Sequence, residues 1–178
     1  VFQDCFIPDD NVLGLVDKGA KERAEFMAAS NAYAGASVLG VAVALHNKAV
    51  EWAKLRVQGG KLLVEHDGIR AQLAEMRMLI DASRSYIHRA CWLADHKEQG
   101  WDKTLGALPK VMASQAAWKI ATWCLEIHGG YGYMKETGVE KLVRDAAAFL
   151  HSDGVNRTLF LSAANAMFGL LPYPGERE

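Results

Sequence analysis

A chain of 178 residues with 51% hydrophobic and 23% charged side chains is long enough to bury the core of one globular domain. Its 20 basic and 21 acidic side chains give a formal net charge of -1, so no overall field attracts nucleic acid or an anionic membrane surface, and we expect neither as a partner. The most apolar stretch, residues 32–45, is too short to span a bilayer.

The first fourteen residues, "VFQDCFIPDDNVLG", begin with the alternating polarity of a β-strand end. No initiator methionine precedes Val1, so we expect the chain to be part of a larger protein. Residues 1–14 are therefore predicted to hold a short strand remnant and a linker. The polar stretch 172–178 is predicted to be a frayed tail.

Long helices are predicted between these ends, because no proline occurs from Asp9 to Leu108. Apolar residues recur at helical spacing from about Gly19 to Val57, and again after the Gly59-Gly60 pair up to "DHKEQGWD". Pro109 suits the first position of a third helix that runs to Gly129. "TGVEKLVRDAAAF" and "NRTLFLSAANAMFGLL" predict a fourth and a fifth helix. Residues 15–171 thus predict an all-α fold, an antiparallel four-helix bundle.

Several kinds of chemistry are disfavoured by the residue pattern. The three cysteines, Cys5, Cys91 and Cys124, are far apart and form no C-x-x-C pair, which argues against disulfides and zinc. A reducing compartment, the cytoplasm or a mitochondrial matrix, fits them best. The six histidines lack metal-binding spacing, so we expect no metal, and no serine stands in a G-x-S-x-G elbow.

The stretch "HGGYGY" places two adjacent glycines, Gly129 and Gly130, at the end of the predicted third helix. One interpretation is a helix C-cap at Gly129. The other is a concavity of glycine N–H groups that receives a phosphate. Arg56 stands at another helix end, where a guanidinium is electrostatically favoured in any case.

Two further features have plain structural explanations from the residues alone. Asp153 can be the N-cap of the fifth helix, a role that aspartate fills well. Four charged residues of the fourth helix stand at spacings that predict i,i+4 ion pairs. They are Glu140, Lys141, Arg144 and Asp145.

Taken together, three blocks resemble the C-terminal half of the flavin-dependent acyl-CoA dehydrogenase superfamily, in the same order and nearly end to end. "VFQDCFIPDDNVLG" is similar to its F-x-x-V-x-V-P-x-x-N-x-L-G pattern, and "AVEWAKLRVQGGKLLVEHDGIRAQLAEM" to its Y-A-x-x-R-x-Q-F-G-K-x-L-x-x-x-Q helix pair. "EIHGGYGYMKETGVEKLVRDA" resembles its Q-x-x-G-G-x-G-Y-x-x-E-x-x-V-E-x-L-x-R-D-A block. This last block is the most specific of the three.

The resemblance implies a fold and an assembly. In that family an N-terminal helical domain and a middle β-domain precede a C-terminal four-helix bundle. Residues 1–14 would then be the end of the β-domain and its linker. The family assembles as a homo-oligomer, usually a tetramer, with FAD at subunit and domain junctions, so we expect a dimer or tetramer. The electron acceptor implied is an electron-transfer flavoprotein.

The resemblance also implies site residues. Asp153 falls at the family's glutamate base, which removes the α-proton of an acyl-CoA thioester while the β-hydrogen leaves as hydride to the flavin. Such a base needs a dry pocket within hydrogen-bond reach of the proton, and we expect Asp153 to line a cleft facing the diglycine bend. Gly154 falls at a substrate position. The cofactor-binding positions fall on Arg56, Gln58, Glu126, Gly129, Gly130, Val155 and Arg157.

Departures from the family pattern leave alternatives open. Aspartate is one methylene shorter than glutamate, and superfamily members with an aspartate base act on alicyclic acyl-CoAs or nitroalkanes. The nitroalkane enzymes carry an arginine where Phe160 stands, which counts against that version. Gly59 replaces an aromatic residue, Glu126 replaces a glutamine, and Asn31 replaces a common arginine. These changes also allow a bundle that has lost catalysis and serves as an assembly subunit.

Overall fold

A computed structural model describes residues 1–170, except for the side chains at positions 20–22, 24, 25, 28, 29 and 103. The predicted polar tail, residues 172–178, lies outside the described residues. The described chain folds into helices joined by short turns and one small hairpin. None of its helices has the length and apolar content needed to cross a bilayer.

The α-helices of the described residues are α1 (Gly19–Leu55), α2 (Asp67–Asp95), α3 (Lys103–His128), α4 (Gly130–Tyr133), α5 (Val139–Ala148) and α6 (Asn156–Phe168). Strands β1 (Val57–Gln58) and β2 (Lys61–Leu62) form an antiparallel hairpin between α1 and α2. Short 3-10 turns occur at Asp9–Asn11, Leu63–Glu65, Lys97–Gln99 and Lys135–Thr137. All five predicted helices are present, and the all-α prediction is confirmed.

Some predicted helix ends are wrong by a few residues, and each has a local cause. The third helix begins at Lys103, so Pro109 is its seventh residue and not its first. Asp102 caps it, since its Oδ1 atom accepts a hydrogen bond of 2.7 Å from the Thr104 N–H. The fifth predicted helix ends at Phe168 because Gly169 turns the chain with a φ of 65°.

The strand remnant expected within residues 1–14 stays a prediction. These residues have no extended strand, only the turn at Asp9–Asn11, and their side chains are exposed. A strand needs a neighbour to pair its N–H and C=O groups, and the described residues offer none at this end.

The bundle is built from α1, α2, α3 and α5, with α6 packed across α3. Gly35 of α1 lies against Lys110 of α3, and Trp52 of α1 stacks on His128 of α3. Both contacts join positions 75 or 76 residues apart, so α1 and α3 run in the same direction. Helices α2 and α5 run the opposite way.

The core contains the predicted apolar stripes and many alanines, which let the helices approach closely. Val38, Leu45, Met76, Ile80 and Ile120 are almost fully buried. The predicted ion pairs of α5 are confirmed, and the Arg144 Nε atom lies 2.9 Å from the Glu140 Oε2 atom. Because the basic partners, Lys141 and Arg144, are exposed, water screens the pairs and they add little stability.

Candidate functional site

Gly129 ends α3, and the interpretation of this residue as a helix C-cap is confirmed. Its N–H donates to the Leu125 and Glu126 carbonyls, both at 3.0 Å, and its φ of 60° and ψ of -140° suit only glycine. A Cβ atom on Gly129 or Gly130 would meet no other atom within 4 Å. The backbone here is therefore open to an incoming group.

Arg56 and Gln58 lie at the same end of the bundle as these glycines, because α1 and α3 run in parallel. Arg56 is the C-cap of α1, and its Nη2 atom donates to the Gln58 Oε1 atom at 3.3 Å. Both side chains are exposed. We call Arg56, Gln58, Gly129 and Gly130 the diglycine end.

An aromatic cluster supports the diglycine end from inside. The rings of Trp52 and His128 stack with centroids 5.2 Å apart and planes 15° from parallel, and the Tyr131 ring lies 5.2 Å from the Trp52 ring at a tilt of 39°. The Nδ1 atom of His128 lies 2.8 Å from the Cys124 carbonyl oxygen. Burial lowers the pKa of His128 and raises the pKa of Cys124 to about 12, so both groups stay neutral at pH 7.

The diglycine end fits a pyrophosphate in part. A guanidinium and an open glycine backbone are groups that bind phosphate oxygens. Glu126 opposes this fit, because its exposed carboxylate stands in the last turn of α3, three residues before Gly129. Phosphate oxygens at this end would have to keep away from that carboxylate.

Asp153 lies in the turn between α5 and α6. Its φ is 50° and that of Gly154 is 96°, so two successive residues adopt left-handed backbone. The N-cap interpretation of Asp153 is wrong, since Val155 holds the N-cap position of α6. Gly154 and Val155 lie between Asp153 and the first residue of α6. The Asp153 side chain is exposed.

Three buried polar residues that the sequence analysis missed hold this turn. The Lys110 Nζ atom donates to the Gly154 carbonyl at 2.7 Å and to the Asn156 Oδ1 atom at 3.0 Å. The Asn156 Nδ2 atom donates to the Ser114 Oγ atom at 2.9 Å. A signal was available, since Lys110 and Ser114 stand at helical spacing in an otherwise apolar run, "GALPKVMASQAAW".

The two halves of the predicted site lie far apart within one chain. Lys110, which contacts the Asp153 turn, and His128, which precedes Gly129, are 18 helical residues apart on α3. At a rise of 1.5 Å per residue that is about 27 Å. The expectation that Asp153 lines a cleft facing the diglycine bend is therefore wrong for a single chain. Val155 and Arg157 lie with Asp153 and not with the diglycine end.

An apolar groove of about 320 Å³ runs between α2, α3 and α6. Leu79, Met112 and Phe160 line it, and Lys119 stands at its edge. Phe160, which occupies the position of an arginine in the nitroalkane enzymes, thus belongs to an apolar surface. It carries no charge toward the Asp153 turn.

Comparison with known proteins decides the family. Residues 17–168 match the sequence model of the family described as acyl-CoA dehydrogenase, C-terminal domain. The chain belongs to the acyl-CoA dehydrogenase family. The resemblance stated from the sequence blocks is therefore confirmed, and so is the helical fold that it implies.

Two relatives and one solved structure illustrate the similarity to acyl-CoA dehydrogenases. The chain is 35% identical over 168 residues to the short-chain specific acyl-CoA dehydrogenase of Megasphaera elsdenii, and the match covers 94% of this chain and 43% of that protein. It is 29% identical over 157 residues to the caffeyl-CoA reductase-Etf complex subunit CarC of Acetobacterium woodii, covering 88% and 41%.

The solved structure is that of butyryl-CoA dehydrogenase from Megasphaera elsdenii, with a TM-score of 0.88 and 33% identity. The similarity covers 94% of this chain and 43% of that one. The chain thus spans less than half the length of these acyl-CoA dehydrogenase relatives.

Proposed function

We propose that this chain is the C-terminal helical part of an FAD-dependent acyl-CoA dehydrogenase, in which Asp153 removes the α-proton of an acyl-CoA thioester. The observation that carries the proposal is the anchored turn inside the matched residues. A carboxylate stands there on left-handed backbone, and a buried lysine holds the next carbonyl. Left-handed backbone alone does not distinguish this turn, because Asp4 and Asp17 also have positive φ values, whereas the buried lysine contact does.

The chain's own residues would do three things in the reaction. Asp153 would accept the α-proton, and Gly154 beside it, at the family's substrate position, would lie next to the thioester. Val155, the N-cap of α6, and Arg157, in the first turn of that helix, would contact the cofactor. Bound FAD would accept the β-hydrogen as hydride.

Because Asp153 is exposed in this chain, we propose that a second part of the protein or a neighbouring subunit covers it. A base in bulk water competes poorly for a weakly acidic carbon, since water solvates the carboxylate and screens it. The exposed apolar side chains of the described residues, Phe26, Tyr33 and Leu161 among them, support burial against further protein.

The separation of about 27 Å along α3 also supports a homo-oligomer, a dimer or tetramer. We propose that the diglycine end approaches the FAD pyrophosphate of a neighbouring subunit, while Asp153 serves the chain's own cofactor. One chain would then contribute to two sites, and each site would need two chains.

In this proposal, an electron-transfer flavoprotein would accept the electrons from the reduced FAD. The caffeyl-CoA reductase relative is by name a subunit of an Etf complex, which supports that partner. We place the protein in the cytoplasm or a mitochondrial matrix, because the described cysteines are unpaired, as thiols are in a reducing compartment.

The test of this function is flavin reduction in the protein purified with its FAD. Under anaerobic conditions a series of acyl-CoA thioesters is added, including alicyclic ones, and bleaching of the flavin absorbance is followed. Asp153→Asn should keep the colour and lose reduction, and Asp153→Glu should retain part of it. Reduction of the Asp153→Asn variant at the wild-type rate would remove Asp153 from the mechanism.

A non-enzymatic assembly subunit is the second candidate, favoured by the exposed carboxylate of Glu126 near Gly129 and Gly130. In that case the purified protein is colourless and added FAD does not restore the absorbance. Glu126→Gln restores the usual residue, and tighter FAD binding by this variant would show that the carboxylate weakens the site.

A further inference from the structure

Lys110 is the largest fully buried side chain among the described residues, with none of its surface exposed. It stands on the face of α3 that packs against α1 and α6, beside Ala107 and Val111. Burying an ammonium group is costly unless it is paired and hydrogen-bonded. An apolar residue of similar size would fill the same space without that cost, so the charge needs a reason.

The contacts of Lys110 all lead to the turn that carries Asp153. Its Nζ atom reaches the Gly154 carbonyl at 2.7 Å, one residue after Asp153, and the Asn156 Oδ1 atom at 3.0 Å. Asn156 also holds the turn closed, because its backbone N–H donates to the Leu150 carbonyl oxygen at 3.1 Å. The ammonium therefore links α3 to the Gly154 carbonyl and to the first residue of α6.

Contacts on two sides hold the turn in this shape. Asp153 has a φ of 50°, in the left-handed region that aspartate visits more often than most residues with a side chain. On one side Leu159 packs so tightly that a Cβ atom on Gly154 would lie 3.0 Å from its Cδ2 atom. On the other side the Lys110 ammonium holds the carbonyl.

Charge gives a second link between the two residues. Burial lowers the pKa of the Lys110 ammonium, and the negative charge of Asp153 opposes that shift. The carboxylate thus helps to keep the buried lysine protonated, and a protonated lysine keeps all three of its N–H donors.

We propose that Lys110 is a positioning residue for the Asp153 base: its buried ammonium fixes the Gly154 carbonyl and thereby sets where the Asp153 carboxylate stands. This inference rests on the proposed function, since it assumes that Asp153 removes the proton. A displacement on the order of an ångström at a reacting group can cost about a hundredfold in rate. A residue that never touches the substrate can therefore act strongly on the chemical step.

A purely structural role would look different. If Lys110 only joined α3 to α6, its loss would lower the unfolding temperature, and the folded protein would reduce its flavin at the wild-type rate. If it positions Asp153, the folded and flavin-loaded protein would still bind acyl-CoA, and proton removal would slow.

The experiment compares Lys110→Met with Lys119→Met in the protein purified with its FAD. Lys119 is on the same helix but exposed, paired to Glu75 at 2.8 Å. Rates of flavin reduction are measured per bound flavin at saturating acyl-CoA, with the substrate carrying hydrogen or deuterium at the α-carbon. Asp153→Asn is measured in parallel.

For Lys110→Met we expect the rate of flavin reduction at saturating acyl-CoA to fall by about tenfold to a hundredfold. The acyl-CoA concentration that gives half of this rate should stay within about threefold of wild type. The α-deuterium isotope effect should be at least as large as that of wild type. Lys119→Met should match wild type in all three. A wild-type rate in Lys110→Met, with Asp153→Asn inactive, would overturn the positioning role alone. Reduction by Asp153→Asn at the wild-type rate would instead overturn the proposed base and, with it, this role.

Lys110→Gln serves if Lys110→Met does not fold. Its amide keeps a donor but is shorter than the lysine, so it reaches the Gly154 carbonyl only if the turn moves. The same loss of saturating rate is expected, together with faster hydrogen exchange in residues 151–157. Wild-type rate and exchange in this variant would overturn the proposal.

Discussion

Gly35 and Lys110 bring the backbones of α1 and α3 into direct contact. A Cβ atom added to Gly35 would lie 3.2 Å from the Lys110 Cα atom and 3.4 Å from the Ile87 side chain. The obstacle on α3 is main chain, which cannot rotate away as the end of a side chain can. The approach of α1 to α3 therefore depends on glycine here, and it also places the lysine that holds the Asp153 turn.

Gly35→Ala is expected to destabilise the protein by about 1–3 kcal/mol, the usual cost of inserting a methyl group into a close-packed contact. Gly40→Ala is the matched control, because Gly40 is exposed on the same helix and its added Cβ meets nothing within 4 Å. The control should be neutral or stabilising by up to about 1 kcal/mol. Urea unfolding followed by helical circular dichroism measures both. Equal stability of the two variants would contradict the close approach.

Cys124 is expected to resist alkylation in the native protein. Burial raises the pKa of its thiol to about 12, and none of the residue is exposed to solvent. Since the thiolate is the reactive form, only a trace reacts at pH 8. Cys5 is exposed and serves as the internal control.

Iodoacetamide labelling followed by mass spectrometry should modify Cys5 rapidly, and Cys124 only after urea is added. Labelling of Cys124 at the rate of Cys5 without denaturant would show that the core around α3 opens readily.

The helices could be predicted because their apolar positions repeat at helical spacing, and local sequence also marks several ends. Gly129 and Gly169 stop helices by their left-handed backbone, whatever the tertiary contacts. Pro109 misled the prediction, since a first-turn proline and an interior proline look alike in sequence. The helix begins instead after Asp102, whose capping role is hard to recognise because aspartate is equally common in turns.

The candidate site could be predicted only in part, because residue types carry over from a family pattern and distances do not. The pattern placed Asp153 and the two glycines in one motif region. Lys110, which contacts the Asp153 turn, and His128, which precedes Gly129, are nevertheless separated by about 27 Å along α3. Lys110 was missed because its role depends on contacts 44 and 46 residues away in sequence. Helical periodicity shows that such a residue faces the core but not what it meets there.

His128 is expected to make stability depend on pH below neutrality. Burial lowers its pKa, the hydrogen bond to the Cys124 carbonyl opposes the shift, and the charge of Lys48 adds to it. The unfolded chain then takes up the proton before the folded one, so stability is fully present above the ordinary histidine pKa of about 6.5 and falls as the pH drops below it. The loss reaches at most about 1.4 kcal/mol per pH unit for this residue.

Urea unfolding between pH 7.5 and 5 measures this dependence. The His128→Gln variant should show a shallower slope than wild type, and His88→Gln, at an exposed position on α2, should keep the wild-type slope. A wild-type slope in His128→Gln would assign the pH dependence to other groups.

The hairpin between α1 and α2 is expected to need its first glycine for backbone reasons alone. Gly59 and Gly60 have φ values of 62° and 81°, the left-handed pair that a two-residue hairpin turn requires. A Cβ atom on Gly59 would lie 3.5 Å from the nearest His66 ring atom, an ordinary contact, so Gly59→Ala suffers conformational strain of about 1 kcal/mol and no clash. Gly59→Asn should cost less, since asparagine tolerates this region.

Hydrogen exchange at the Leu63 N–H, which donates to the Arg56 carbonyl at 2.9 Å, reports the strain at Gly59 because this bond closes the base of the hairpin. Hydrogen exchange at this N–H should be about fivefold faster in Gly59→Ala, because a strain of about 1 kcal/mol changes an equilibrium constant by about that factor. It should stay near wild type in Gly68→Ala, where the added Cβ meets nothing within 4 Å. Equal exchange in the two variants would show that the turn does not depend on left-handed backbone at residue 59.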